Sequence, residues 1–352
     1  MPRITAAYLL KVSTIYMGAV VAGWAFSRLH VPLPWMIGPL LLVATCSVGG
    51  LDMTVPFWTR HIGQVVVAGS VGLNFTWAAL LVLVDHADFM LAAAVMTLLA
   101  GFLTAAMMRR LTRTDSITCT LCCVPLGPME SAHLAEQYGV PPGPVAFVQT
   151  LRIALTVTLI PPLLVWLDPR HLDLTAGLSA PNWTLAGTAL TLAFAAAGAF
   201  IFRALRISNP MFLGALAGTA LAMLLALPVS PLPYAVIAGG QVLLGVWLGA
   251  CFNRELMQKA RSFIPASMLA TVLLLSSCAL VGTIIAWVGG LRWDAMVLAT
   301  APGSVTEMAL TAKILAADPA MVTAFHVVRI FLLIPFAPLI FRIVGKLAKW
   351  GA

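Results

Sequence analysis

Pro125 and Pro302 lie 177 residues apart, and the same separation joins Gln64 to Gln241, Gly72 to Gly249, Phe75 to Phe252, Glu130 to Glu307, Arg152 to Arg329 and Pro161 to Pro338. One register serves all of these pairs. A shift of a single residue adds Pro34 with Pro210 and Gly38 with Gly214. A chain of 352 residues that repeats itself at half its length consists of two copies of one unit, so any fold it adopts must be built twice. The copies give a first repeat over 1–167, a polar linker over 168–183 marked by Asp168, Pro169, Arg170, Asp173 and Pro181, and a second repeat over 184–352.

Each copy is too apolar for water. Hydrophobic residues make up 61% of the chain and charged residues 9%, against about 25% charged in a soluble globular protein. So few charges cannot cover the surface of a soluble fold, and the chain reads as an all-α integral membrane protein. Its net charge of +8 comes from Lys and Arg set singly between apolar segments, with no basic run or basic-aromatic cluster, which excludes a nucleic-acid partner and fits charge left in cytoplasmic loops. The six cysteines (Cys46, Cys119, Cys122, Cys123, Cys251, Cys278) lie in or beside apolar runs and read as small hydrophobic residues. The segment after Arg3 and Lys11 imitates a signal peptide, but it has a later counterpart and reads as the first membrane helix.

Six apolar segments recur in each half, and the fifth is interrupted at its middle. The interruption reads Val124-Pro-Leu-Gly-Pro-Met-Glu130 in one copy and Ala301-Pro-Gly-Ser-Val-Thr-Glu307 in the other. Lys and Arg collect at Arg109, Arg110 and Arg113, at Arg203 and Arg206, at Arg254, Lys259 and Arg261, and at Arg342, Lys346 and Lys349. Placing those stretches in the cytoplasm agrees with the segment count only if each half crosses five times and its fifth segment adds a broken or re-entrant hairpin. Arg28 is the one charge on the wrong side. Five is odd, so the copies are expected to lie in opposite orientations, as in inverted-repeat secondary transporters, with both termini cytoplasmic.

Ionisable groups at membrane depth are expensive and therefore point to function. Glu130 and Glu307 follow the breaks, and Arg152 and Arg329 lie in the next helix. A helix restarting after a break presents unpaired N–H groups and a positive dipole end, which favours an anion near Gly303, Ser304 and Thr306. Arginine suits a carboxylate because its fork is planar and always charged. Arg152 and Arg329 are thus candidates for the substrate charge, and Glu130 and Glu307 for a coupling proton or sodium ion. The competing reading makes each Glu an ion-pair partner of the Arg 22 residues later. Gln149 and His326 stand three residues before the arginines, on the same helix face, and are expected in the same cavity. Gln64 and Gln241 are weaker substrate candidates, because they adjoin small-residue stretches such as Gly245 to Gly249 whose usual role is close helix packing.

Catalysis has no evident residues, so no enzymatic role is expected. Glu130-Ser-Ala-His133 has the Glu-x-x-His spacing of a di-iron site, but the second copy reads Glu307-Met-Ala-Leu310 and the six histidines are scattered. No metal and no cofactor are expected.

The motif Pro302-Gly-Ser-Val-Thr-Glu307-Met308, with Ala312 and Arg329, and its first-copy form Pro125-Leu-Gly-Pro-Met-Glu130 with Arg152, resemble the signature of the AbrB membrane-protein duplication family. The first copy has Leu126 where the usual opening has glycine, and an added Pro128. The resemblance covers nearly the whole chain. It implies a bacterial inner-membrane protein of a group whose members are named as transporters or as ammonia monooxygenases. The architecture is similar to that of cation/proton antiporters and anion transporters. The function expected is a secondary active transporter of a small polar or anionic metabolite, coupled to protons or sodium, with a midplane site between the repeats. The alternatives are a metal-dependent monooxygenase subunit and a ligand-binding regulatory membrane protein. The expected partners are a small-molecule substrate and the lipid bilayer, and a homodimer is possible through exposed small-residue faces.

Overall fold

A computed structural model of the chain describes residues 6–168, 182–207, 209–252, 254, 258 and 263–333. Most of the linker (169–181), Lys259, Arg261, Pro338, Arg342, Lys346, Lys349 and the side chain of Glu130 lie outside them. The described residues are helical, with no strand among them. They fall into two compact units, one within Met1–Val82, Pro161–Arg254 and Ala309–Ala320, the other within Leu83–Ile160, Glu255–Met308 and Met321–Ala352. Each unit takes segments from both sequence halves.

Prolines open the short helices of the first unit. Helix α1 covers Ala6–Arg28 and α2 covers Pro34–Val48, while α9 covers Leu185–Ala204 and α10 covers Pro210–Leu224. Leu33 and Asn209, just before α2 and α10, both take the left-handed conformation (φ 54° and 49°) and neither caps its helix with a side chain. Left-handed backbone costs about 1–2 kcal/mol at a residue with a Cβ, so packing must hold these turns. A Cβ on Gly38 would meet the Ala22 carbonyl at 2.7 Å, and one on Gly214 would strike the Gly198 carbonyl. The same close crossing of helix backbones is therefore built at both places. Helix α3 (Phe57–Gly72) packs on α10, and α11 (Tyr234–Ala250) packs on α2. Gly72 lies against the Leu216 carbonyl, and Gly249 against the Leu40 carbonyl. Each copy's third helix thus rests on the other copy's second, through corresponding atoms.

The third apolar segment, expected as one run, is broken. Helix α3 stops at Gly72, and α4 (Trp77–Asp85) leaves at 87° to it. Asn74 turns its amide back onto the carbonyls of Ser70 and Val71, at 3.4 and 3.0 Å, which satisfies the end of α3 and competes with its continuation.

The second unit is built on α5 (Ala87–Thr112) and α12 (Ile264–Gly289). Both end on a left-handed residue, Arg113 and Gly290, and corresponding ends differ by 177. Half-helices follow: α6 (Ser116–Cys123) and α7 (Pro128–Gln137) in one copy, α13 (Trp293–Thr300) and α14 (Val305–Ile314) in the other. Then come α8 (Pro142–Leu167) and α15 (Pro319–Leu333). Ala100, Leu274 and Cys278 form a small core here. Asp294 at the head of α13 is buried and paired with Arg292 at 2.6 Å.

Five of the helices (Tyr8–Arg28, α5, α8, α9 and α12) are long and apolar enough to cross a membrane. Helices α2 and α10, at 15 residues each, span about 22 Å, short of a hydrocarbon core of about 30 Å. The chain is a multi-pass membrane protein in design, with long helices and short, broken ones side by side.

Candidate functional site

Both breaks have the same local cause. Pro125 pushes Val124 out of the helical region, to φ −64° and ψ 132°, and Pro302 does the same to Ala301, at −52° and 138°. Helices α6 and α13 stop there, leaving terminal carbonyls without intrahelical donors. In the first copy Pro128 then supplies a preformed first turn for α7.

The abandoned carbonyls are taken by side chains of α8 and α15. Gln149 donates to the carbonyls of Leu121 and Val124, the latter at 3.0 Å. Arg152 donates from Nη1 to Val124 (3.2 Å) and from Nη2 to Leu126 (3.0 Å). In the second copy His326 Nε2 donates to Leu298 (3.0 Å), and Arg329 donates from Nη1 to Ala301 (2.9 Å) and from Nη2 to Gly303 (3.2 Å). Leu121 and Leu298, Val124 and Ala301, and Leu126 and Gly303 are all 177 apart, so the repeat extends to individual hydrogen bonds. The hydrogen of His326 sits on Nε2, because a carbonyl can only accept, and its Nδ1 accepts from Arg329 Nη2 at 2.8 Å.

One guanidinium bond to the main chain has no counterpart. Arg152 Nε donates to the Pro302 carbonyl at 2.9 Å, tying its helix to the other copy's break. The equivalent bond from Arg329 Nε would end on Pro125, yet that Nε is buried with no hydrogen-bond partner among the described residues. Ala301, Pro302 and Gly303 thus give three consecutive carbonyls to two arginines. Both arginines are buried, at 2% and 4% exposure. Hydrogen bonds involving a charged group contribute about 1.5–3 kcal/mol each and offset desolvation, whereas an orphaned buried donor costs about 1–3 kcal/mol or more.

The other expected site residues divide between the units. Glu307 is buried in the first turn of α14. Ser304 and Glu307 have capping-box spacing, and the dipole at that end favours a carboxylate. Among the described residues, Arg329 makes its hydrogen bonds to main chain and His326. Thr306 is buried and its hydroxyl has no partner among the described residues. A Cβ on Gly303 would meet Thr156 Cγ2 at 3.0 Å. Gln149 and His326 are fully buried and act as clamps on half-helix ends. Gln64 and Gln241 belong to the first unit. There Gln64 donates to Asn209 Oδ1 at 3.2 Å, and Gly63 and Gly245 pack against the backbones of Gly240 and Met36.

Sequence reasoning missed the acceptors, since main-chain carbonyls have no signature of their own. It also missed Lys313, whose ammonium donates to the Ser70 carbonyl at 2.9 Å in the first unit. A lone charge late in the fifth apolar segment was the available signal. No group of three His, Cys, Asp or Glu among the described residues could hold a metal ion. His133 is exposed and paired with Gln137 at 2.9 Å.

Comparison with known proteins agrees with the resemblance in the motifs. The family model described as AbrB, "Transition state regulatory protein AbrB", matches residues 3–86 and 35–345. The protein YhjN of Bacillus subtilis (strain 168) is 26% identical, over 94% of this chain and 92% of its own. A protein of Escherichia coli (strain K12), provisionally named regulator AbrB, is 24% identical over 92% of this chain and 93% of its own. With its paired breaks and paired arginines, and with nearly its whole length matched, the chain belongs to the AbrB family.

Proposed function

We propose that the chain is a secondary active transporter of a small polar or anionic metabolite, coupled to protons or sodium, with its two halves as inverted copies in a bacterial inner membrane. One observation carries this reading: two buried guanidinium groups, seated on carbonyls at two helix breaks, with one donor left over. A structural ion pair needs a carboxylate against each arginine, whereas the hydrogen bonds of Arg329 among the described residues go to main chain and His326. A buried positive charge beside restarting helix termini is instead suited to a transient anion. Glu130 and Glu307, at the heads of α7 and α14, are the proposed coupling groups.

The test is flux in proteoliposomes of the purified chain. Small carboxylates should be taken up saturably under a proton or sodium gradient. Glu130→Gln and Glu307→Gln should change the pH or sodium dependence of uptake by tenfold or more, and uptake whose ion dependence survives both substitutions rules out coupling through these residues. The names of the family and of the Escherichia coli relative favour a second reading, a membrane protein that binds a ligand and regulates without moving it. Saturable binding with no flux would establish that reading instead.

A further inference from the structure

We infer that the two arginines have different jobs: Arg152 fastens the breaks to each other, while Arg329, through Nε together with the Thr306 hydroxyl, receives one oxygen of a carboxylate substrate. The inference rests on the anion reading above and assigns the docking point within it. Its ground is the exception in an otherwise repeated set of hydrogen bonds. Gln149 and His326 clamp corresponding carbonyls, and the Nη atoms of Arg152 and Arg329 do the same. Among the guanidinium bonds to the main chain only those of the Nε atoms differ, with Arg152 bonded to Pro302 and Arg329 to nothing described. Thr306 follows Gly303 by three residues, and Arg329 Nη2 already holds the Gly303 carbonyl, so the second orphaned donor belongs to the chain segment that Arg329 grips. The first copy has Met129 at the position of Thr306.

The chemistry of the open donors selects the ligand. A guanidinium N–H, a hydroxyl and the first-turn N–H groups of α14 offer few donors and a single positive charge. They suit a planar monoanion with two oxygens. A tetrahedral dianion brings more oxygens than these donors satisfy, and buried Glu307, next to Thr306, repels its second charge.

Thermal unfolding of the detergent-solubilised full chain tests this, in carboxylate-free buffer with acetate, lactate, benzoate or inorganic phosphate added, because a ligand that binds the folded state raises its apparent stability. At least one carboxylate should raise the Tm of the unmodified chain. Arg329→Lys and the nearly isosteric Thr306→Val should weaken that carboxylate about tenfold or more, as loss of a charge-assisted contact does. Arg152→Lys should lower the starting Tm and keep the carboxylate's effect. If Arg329→Lys does not fold, Thr306→Val decides alone. A full ligand effect in Thr306→Val, an equal loss in Arg152→Lys, a response to phosphate only, or no response to any probe would overturn the assignment. Flux separates it from the transport reading. Binding with the expected variant pattern but no flux upholds the docking point and removes transport, whereas flux that survives both Arg329→Lys and Thr306→Val does the reverse.

Discussion

Gln241 is fully buried, and neither its amide nitrogen nor its oxygen has a hydrogen-bond partner among the described residues. Its counterpart Gln64 bonds Asn209, and the residue that corresponds to Asn209 is Leu33, which is apolar and buried. The repeat kept the glutamine and lost its partner. An unsatisfied buried amide costs about 1–3 kcal/mol, so Gln241→Leu should leave the thermal stability of the purified chain unchanged or raise it. A fall equivalent to more than about 1 kcal/mol would mean that the amide holds a ligand or a buried water. Charge at membrane depth led from the sequence to Arg152, Arg329 and Glu307. It could not foretell that the arginines would bind carbonyls, because Pro125 and Pro302 free those acceptors only once the helices exist.

Among elements, the ends of α5 to α7 recur at 177 residues in α12 to α14, although of the prolines and glycines at those ends only Pro125 recurs, as Pro302. The break between α3 and α4 was not legible, since Ile62 to Val84 reads as one apolar run with no proline. There a single asparagine turned onto the helix end decides the matter. Close backbone crossings make a sharper expectation. Gly198→Ala would drive a methyl into the Gly214 carbonyl, and Gly38→Ala would drive one into Ala22. Each should destabilise by about 1–3 kcal/mol, as overpacking does. Gly239 is exposed, and no atom lies within 4 Å of a Cβ built there. Gly239→Ala is therefore the control, and thermal unfolding in one detergent should rank it above the other two. Equal gains at all three positions would mean that helix propensity, which favours alanine over glycine, and not the crossings, sets the outcome.

For the whole molecule, the regrouping of helices from both halves into each compact unit leaves no trace in a single sequence, because segments that pack across long separations need share no local pattern. Orientation in the membrane is different, since loop charge reports it. Arg109 and Arg110 lie in the last turn of α5 and Arg113 just after it, while the corresponding turn after α12 carries Arg292 paired with Asp294. By the charge rule the first turn is expected in the cytoplasm, and an inverted copy would place the second outside. Thr114 and Leu291 are half-buried residues of these turns, 177 apart. Cys119, Cys122, Cys123 and Cys278 are buried, so only Cys46 and Cys251 need replacing with serine to give a quiet background. In that background, Thr114→Cys should react with an impermeant thiol reagent only in inside-out vesicles, and Leu291→Cys only in intact cells. The same sidedness for both cysteines would make the copies parallel and overturn the inverted arrangement proposed for the two halves.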